Sequence, residues 1–267
     1  MKSIVASKRL WILLVAIFLI VSISACSGGE QGTADTSNGE PEEQQDISGV
    51  DDESAEEPAG NKEKISAEIT QMALQAWKDS IDTIWAHGAI EITNTGDVPI
   101  EIGDISISFV GDDNSILGTA SMILAIPEIL LPGETAYAGD STIIEGIDDP
   151  SKIVNIEANI DYDKTDKQPQ LLDVQGLKII PSDFGGAKIT GRVVNTSQEN
   201  ADDIRIIIAT FDENEKLLGV YSDLPDVTLA PEKNMGFETS YPGIEVEGFA
   251  DKVNKIVGKA FNWKFDF

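Results

Sequence analysis

Across 267 residues, 47 aspartates and glutamates stand against 19 lysines and arginines and one histidine, a formal net charge of −28 at pH 7. A chain this acidic is repelled by nucleic acid and by anionic lipid surfaces, so neither is expected as a direct partner. Its single cysteine, Cys26, excludes an internal disulfide and a cysteine-based metal site, so the folded part must rest on hydrophobic cores alone.

The first element is a secretory signal. Lys2, Lys8 and Arg9 precede a 12-residue apolar run from Leu10 to Val21, and Ile23-Ser24-Ala25-Cys26 follows. The run is short of the roughly 20 residues that span a bilayer as a helix, and the order of charge, apolar core and small residues is that of a cleaved signal peptide. With a cysteine directly after the small residues, the segment resembles bacterial prolipoprotein signals. That resemblance implies a diacylglyceryl group on the Cys26 thiol and cleavage that leaves Cys26 as the new N-terminus. Two acyl chains suit the physics, because one chain holds a protein only marginally. Residues 1–25 are therefore expected to be a lipoprotein signal peptide. The mature chain would sit at the cell membrane, lipid-anchored and facing the extracytoplasmic side. Cleavage removes three basic residues and no acidic ones, leaving a chain more acidic still.

Residues 26–64 comprise the lipidated cysteine and a stretch dominated by Glu, Asp, Ser, Gly, Gln and Pro, with too few apolar residues to build a core. A disordered acidic linker is expected. As a flexible coil it would span about 35 Å, and fully stretched on the order of 125 Å. Its expected role is to space the folded part from the lipid surface.

From Ile65 to Ile84 the pattern is ambiguous. Ile65, Ile69, Met72 and Ala76 suit a helical face, whereas comparison with the later half places a first strand within Ala73 to Ile81. Beyond it the chain repeats itself. Ile90-Glu91-Ile92-Thr93-Asn94-Thr95 answers Ile189-Thr190-Gly191-Arg192-Val193-Val194-Asn195-Thr196, and Leu117-Gly118 answers Leu218-Gly219. Asn94 to Gly118 and Asn195 to Gly219 are both 24 positions, an offset of 101 that slips to 99 at Leu130-Leu131-Pro132-Gly133 and Leu229-Ala230-Pro231-Glu232. Such spacing indicates a tandem duplication with one domain per copy, residues 65–166 and 167–267.

Each copy reads as all-β. Ile105, Ile107 and Phe109 alternate with Ser106 and Ser108, and Ile204 to Ala209 forms the matching strand. Phe261, Trp263, Phe265 and Phe267 alternate with Asn262, Lys264 and Asp266 in the last strand. Turn residues punctuate the chain at Asn94 to Asp97, Gly111 to Asn114, Pro132-Gly133, Gly185-Gly186 and Asp212 to Asn214. Two tandem immunoglobulin-like β-sandwiches are the expected fold.

At these landmarks the chain resembles the FxLYD-type domain of bacterial surface lipoproteins. The likeness rests on Gly191 to Thr196, Ile208-Ala209-Thr210-Phe211-Asp212, Leu218-Gly219, and Leu229 to Glu232 ahead of Phe237. Ile208, Thr210 and Phe211 stand where the motif has Phe, Leu and Tyr, Asp212 is kept, and the first copy has Gly111 at that last position. The resemblance implies an extracytoplasmic β-sandwich module and carries no catalytic residues.

Chemistry is sparse. The only histidine, His87, lies beside Trp85 and Gly88 and reads as a partly exposed residue at the start of a strand, with no Ser-His-Asp order around it. No catalytic, cofactor-binding or metal residue is assigned, no cofactor is expected, and Cys26 is the one assigned site, for lipid. Calcium remains a lesser candidate ligand for Asp161-Tyr162-Asp163-Lys164-Thr165-Asp166, Gly111-Asp112-Asp113-Asn114 and Asp148-Asp149. The first cluster, however, has Asp166 and Leu172 where an EF-hand loop needs Gly and Glu, and a solvated linker is the better reading. Trp77, Trp85, Tyr137 and Tyr221 could line a carbohydrate or peptide site if exposed, but strand spacing favours the core. Phe261, Trp263 and Phe265 are read as core. The expected function is a non-catalytic binding or adaptor module for an extracellular protein or wall polymer. The alternatives are an enzyme acting on wall polymers and a passive envelope component.

Overall fold

The computed structural model describes residues 63–263, apart from Met122 and Phe184. The signal segment, Cys26, nearly all of the acidic linker, Phe265 and Phe267 lie outside the described residues. The fold is an all-β sandwich arrangement of antiparallel strands, with one four-residue α-helix and one short 3-10 turn.

The strands fall into two successive sets. The first comprises β1 (Ala67–Lys78), β2 (Ile84–Asn94), β3 (Ile100–Gly111), β4 (Ile116–Ser121), β5 (Ile129–Leu130), β6 (Thr135–Ile143) and β7 (Ile153–Lys164). The second comprises β8 (Leu171–Pro181), β9 (Ala187–Val194), β10 (Ile204–Phe211), β11 (Leu217–Asp223), β12 (Asn234–Thr239) and β13 (Lys255–Asn262). In the first set β1-β2-β6 form one sheet. The other is built on β3, which pairs with β4 and β5 along one edge and with β7 along the other. The second set forms a continuous path β11-β10-β13-β8-β9-β12. It is continuous because β8 serves two partners, pairing with β13 at Leu171 and Leu172 and with β9 from Asp173 to Pro181. Apart from that junction, β11-β10-β13 matches β4-β3-β7, and β8-β9-β12 matches β1-β2-β6. The repeat seen in the residues is thus a repeat in strand pairing.

Alternation explains the two inner cores. Ile90 and Ile92 of β2 with Ala136 and Ala138 of β6 meet Ile105, Ile107 and Phe109 of β3 and Ile156 of β7. In the second set Ile189 and Val193 of β9 meet Ile204, Ile206 and Ile208 of β10, Tyr221 of β11 and Ala260 of β13, with Phe249 of the short helix closing one end. A third cluster joins the sets, uniting Ala73, Ala89, Ile126 and Tyr137 with Ile207, Ala209, Phe211, Val220 and Phe261.

The first strand differs from expectation. It runs from Ala67 to Lys78, and a turn at 79–83 separates it from β2, so Ile81 is an exposed turn residue and no helix forms. The cause is local. Asp79 Oδ1 accepts hydrogen bonds from the Ile81 and Thr83 amides, and its Oδ2 accepts one from Trp85 Nε1. Ile65 and Met72, which would have faced a core from a helix, are both exposed.

The repeated asparagines are buried hubs. Asn94 Nδ2 donates to the carbonyls of Val98 and Leu130, and its Oδ1 accepts from the Gly96 amide. Asn195 Nδ2 donates to the carbonyls of Glu199 and Leu229, and its Oδ1 accepts from the Ser197 amide. Each side chain ties the end of one strand to the loop entering the next through hydrogen bonds to carbonyls on both. Asn94→Ala and Asn195→Ala are each expected to cost about 3 kcal/mol by removing at least three hydrogen bonds apiece at a buried site. Urea unfolding of the single and double variants would measure this, and the distance between the sites predicts near-additive losses.

Candidate functional site

The third cluster marks where the two strand sets meet, and the chain's unusual chemistry collects there. β11 is an edge strand, so alternate backbone groups on its outer side have no strand partner. Side chains of the first set answer them. Gln75 Nε2 donates to the Leu218 carbonyl at 2.9 Å, and the Leu217 amide donates to Gln71 Oε1 at 2.8 Å. The Val220 amide donates to His87 Nε2 at 3.2 Å. Within the second set, the Ser222 amide donates to the Tyr241 carbonyl, and Thr239 Oγ1 donates to the Ser222 carbonyl.

His87 is therefore not a partly exposed edge residue. It lies on β2, the middle strand of its sheet, and is fully buried. Its Nδ1 lies 3.1 Å from Ser141 Oγ. Because Nε2 accepts from an amide, the neutral ring carries its proton on Nδ1 and donates it to the serine. Burial pushes the pKa of the ring down to about 3, against which a hydrogen bond involving the Asp140 backbone works only weakly. The imidazole is a structural acceptor, and both of its nitrogens are engaged.

Further polar contacts bracket it. Lys259 of β13 donates to the Thr135 carbonyl and to its Oγ1, and sits 5.5 Å from the Tyr137 ring centroid. Burial lowers the pKa of this lysine, and nearby Glu134 and Glu91 pull it back up. Tyr137 is pushed up to about 12, chiefly by burial and then by Glu91. Close backbone approach is secured at Gly139, where a Cβ would lie 2.5 Å from the Gly88 carbonyl oxygen and 2.6 Å from Cγ2 of Val220.

Two clefts open at the seam. One, of about 290 Å³, is lined by Glu128, Ile129, Lys167 to Gln170, Phe261 and Asn262. Burial, and secondarily the charge of Glu101, raise the pKa of Glu128 at its wall. Beside it the Arg205 guanidinium stacks 3.8 Å from the Trp263 ring centroid and pairs with Asp203. The other cleft, of about 150 Å³, is mainly apolar and exposes Leu124, Leu224 and Tyr241 on its rim.

The remaining candidates are dispersed. Trp77 is buried and stacks on Trp85 with centroids 6.3 Å apart, Tyr137 meets Phe211 edge-on, and Tyr221 is fully buried against Phe249. Phe261 is buried, but against the first strand set as much as its own, and Trp263 is partly buried beside it. Of the acidic loops, Asp113 Oδ1 accepts from the Ser115 amide and Asp149 Oδ1 from the Ser151 amide, while Asp148 pairs with Lys152. Asp161 and Asp163 lie along β7, with Asp166 beyond its end. Among the described residues no group of three or more His, Cys, Asp or Glu side chains is placed to hold a metal ion.

The histidine predicts an acid response with a definite sign. The native state resists protonation, so the unfolded chain binds the extra proton between its ordinary pKa near 6.5 and about 3. Stability from this residue is full above pH 6.5 and drains away as the pH falls toward 3, by on the order of 4–5 kcal/mol. His87→Gln keeps an acceptor for Val220 without titrating. The difference in unfolding free energy between wild type and this variant should shift by that amount across the window. At the same seam, Gly139→Ala is expected to cost about 1–3 kcal/mol by forcing the sheets apart, read from the urea midpoint.

No helix among the described residues is long and apolar enough to cross a membrane. No known protein family matches the chain, and no curated protein matches it in sequence.

Proposed function

We propose that this chain is a lipid-anchored, non-catalytic binding or adaptor protein of the bacterial cell envelope. Cys26 is the membrane attachment, the acidic linker is the spacer, and residues 65–166 and 167–267 are two FxLYD-type, immunoglobulin-like modules on the extracytoplasmic side. The observation that carries the binding role is the seam. Side chains of one strand set cap the edge of the other, which fixes two sandwiches in one orientation and offers their loops and outer edges as a composite surface. The single histidine, the residue type most used for proton transfer, is committed to that seam. The anchor rests on the sequence of the signal segment and its cysteine.

Two measurements test the reading. Mass spectrometry of the mature chain is expected to find an N-terminal, diacylglyceryl-modified Cys26, and Cys26→Ser should release the protein from the membrane fraction. A chain beginning at Met1, or an unmodified Cys26, would overturn the anchor. Incubating the full chain with cell-envelope fractions should give specific, saturable retention without polymer turnover. Turnover would favour an enzyme, and absence of retention a passive envelope component.

A further inference from the structure

The two sandwiches differ at one flank. In the second, β8 crosses to β13 and pairs with it at Leu171 and Leu172. In the first, the corresponding strands β1 and β7 do not pair. β7 hydrogen-bonds with β3 along one side only, and among the described residues no backbone or side-chain hydrogen bond reaches its other side from Val154 to Asp163. β7 is 12 residues long, and of the two bulges in its pairing one falls on β3 and the other on β7 at Val154, so β7 presents a regular edge from Asn155 to Lys164. The core is thinly covered there as well. Ala158, Ile160 and Tyr162 of β7, with Ile69, Leu74 and Ala76 of β1, are only partly buried against it.

The outward residues of the same strand have one sign. Glu157, Asp161 and Asp163 are exposed, Asp104 stands beside Asp161 around a depression of about 300 Å³ shared with Ser106, Ser121 and Asn159, and Lys164 is tied to Glu63. An edge of this length without a strand partner among the described residues is a template for another strand, and like charges along it repel a second copy of the chain and the acidic linker alike.

Resting on the binding role proposed above, we infer that the free edge of β7 takes an extended segment of a partner protein whose sequence alternates basic and apolar residues. The period of two dictates the pattern. Lysines or arginines opposite Glu157, Asn159, Asp161 and Asp163 share the outer face with those side chains, and apolar residues opposite Ala158 and Ile160 complete the cover of the core. Backbone pairing supplies the docking, and the alternation of charge supplies the selectivity.

The test uses the full chain and a capped ten-residue peptide alternating lysine and valine. Two controls accompany it: glutamate in place of lysine, and the same composition as a lysine block followed by a valine block. The alternating basic peptide should slow amide exchange at alternate residues of β7. Both controls should bind at least tenfold more weakly, and affinity should fall with added salt. Glu157→Lys combined with Asp161→Lys and Asp163→Lys, all exposed, should leave the unfolding midpoint near wild type while weakening the basic peptide at least tenfold. Absence of protection on β7, protection on β1 or another strand instead, equal binding of the glutamate peptide, or a dimer formed through β7 would each overturn the inference. Envelope retention, measured alongside, separates this from the wider reading. If wild type and the triple variant are retained equally, this edge is wrong and binding stands; if neither is retained, the binding role itself falls.

Discussion

A buried sheet edge must have its amides and carbonyls answered, and in this protein that constraint falls on β11. Its outer side would face solvent in a lone sandwich. Here it lies under the first strand set, where Gln71, Gln75 and His87 supply the missing donors and acceptors. Once those groups are met, the neighbouring β10 can be buried on both faces, with Ile204, Ile206 and Ile208 turned into its own core and Ile207, Ala209 and Phe211 into the shared one. Hydrogen bonding sets the register of the contact, and apolar burial supplies most of its driving force.

Much of the internal architecture was legible in the residues because duplication makes the chain its own reference. The repeated asparagines proved to be equivalent hubs, and the two-residue slip in offset reappears in their partners, Leu130 and Leu229. The hairpin turns at Gly111 to Asn114 and Asp212 to Asn214 were read correctly, and each is closed by a residue in the left-handed region, Asn114 and Glu215. A carboxylate in each turn, Asp113 or Asp212, accepts from nearby amides.

The seam was harder to read. His87 looked like an ordinary polar residue near a strand start because the group it serves, the Val220 amide, lies 133 positions away. A signal did exist: Ile206 to Ala209 is apolar at both parities, which a strand with one wet face does not require. The bounds of β1 were missed for a related reason. Its Gln71, Ala73 and Gln75 alternate with the core-facing positions and meet the second strand set, so neither a helical nor a half-wet period describes it.

The contact between the sandwiches is head-to-tail: the β1-β2-β6 face of the first copy meets the β11-β10-β13 face of the second. Because the copies share a topology, each outer end carries the counterpart of a face already in use, and nothing in the geometry forbids a third unit at either end. The side chains are what disfavour it. Where the second copy offers Ile207 and Ala209, the first has Ser106 and Ser108; where the first offers His87, Ala89 and Glu91, the second has Lys188, Thr190 and Arg192. Polar ends of this kind terminate repeat arrays. Among the described residues both outer faces are thus rewritten in hydroxyls and charge.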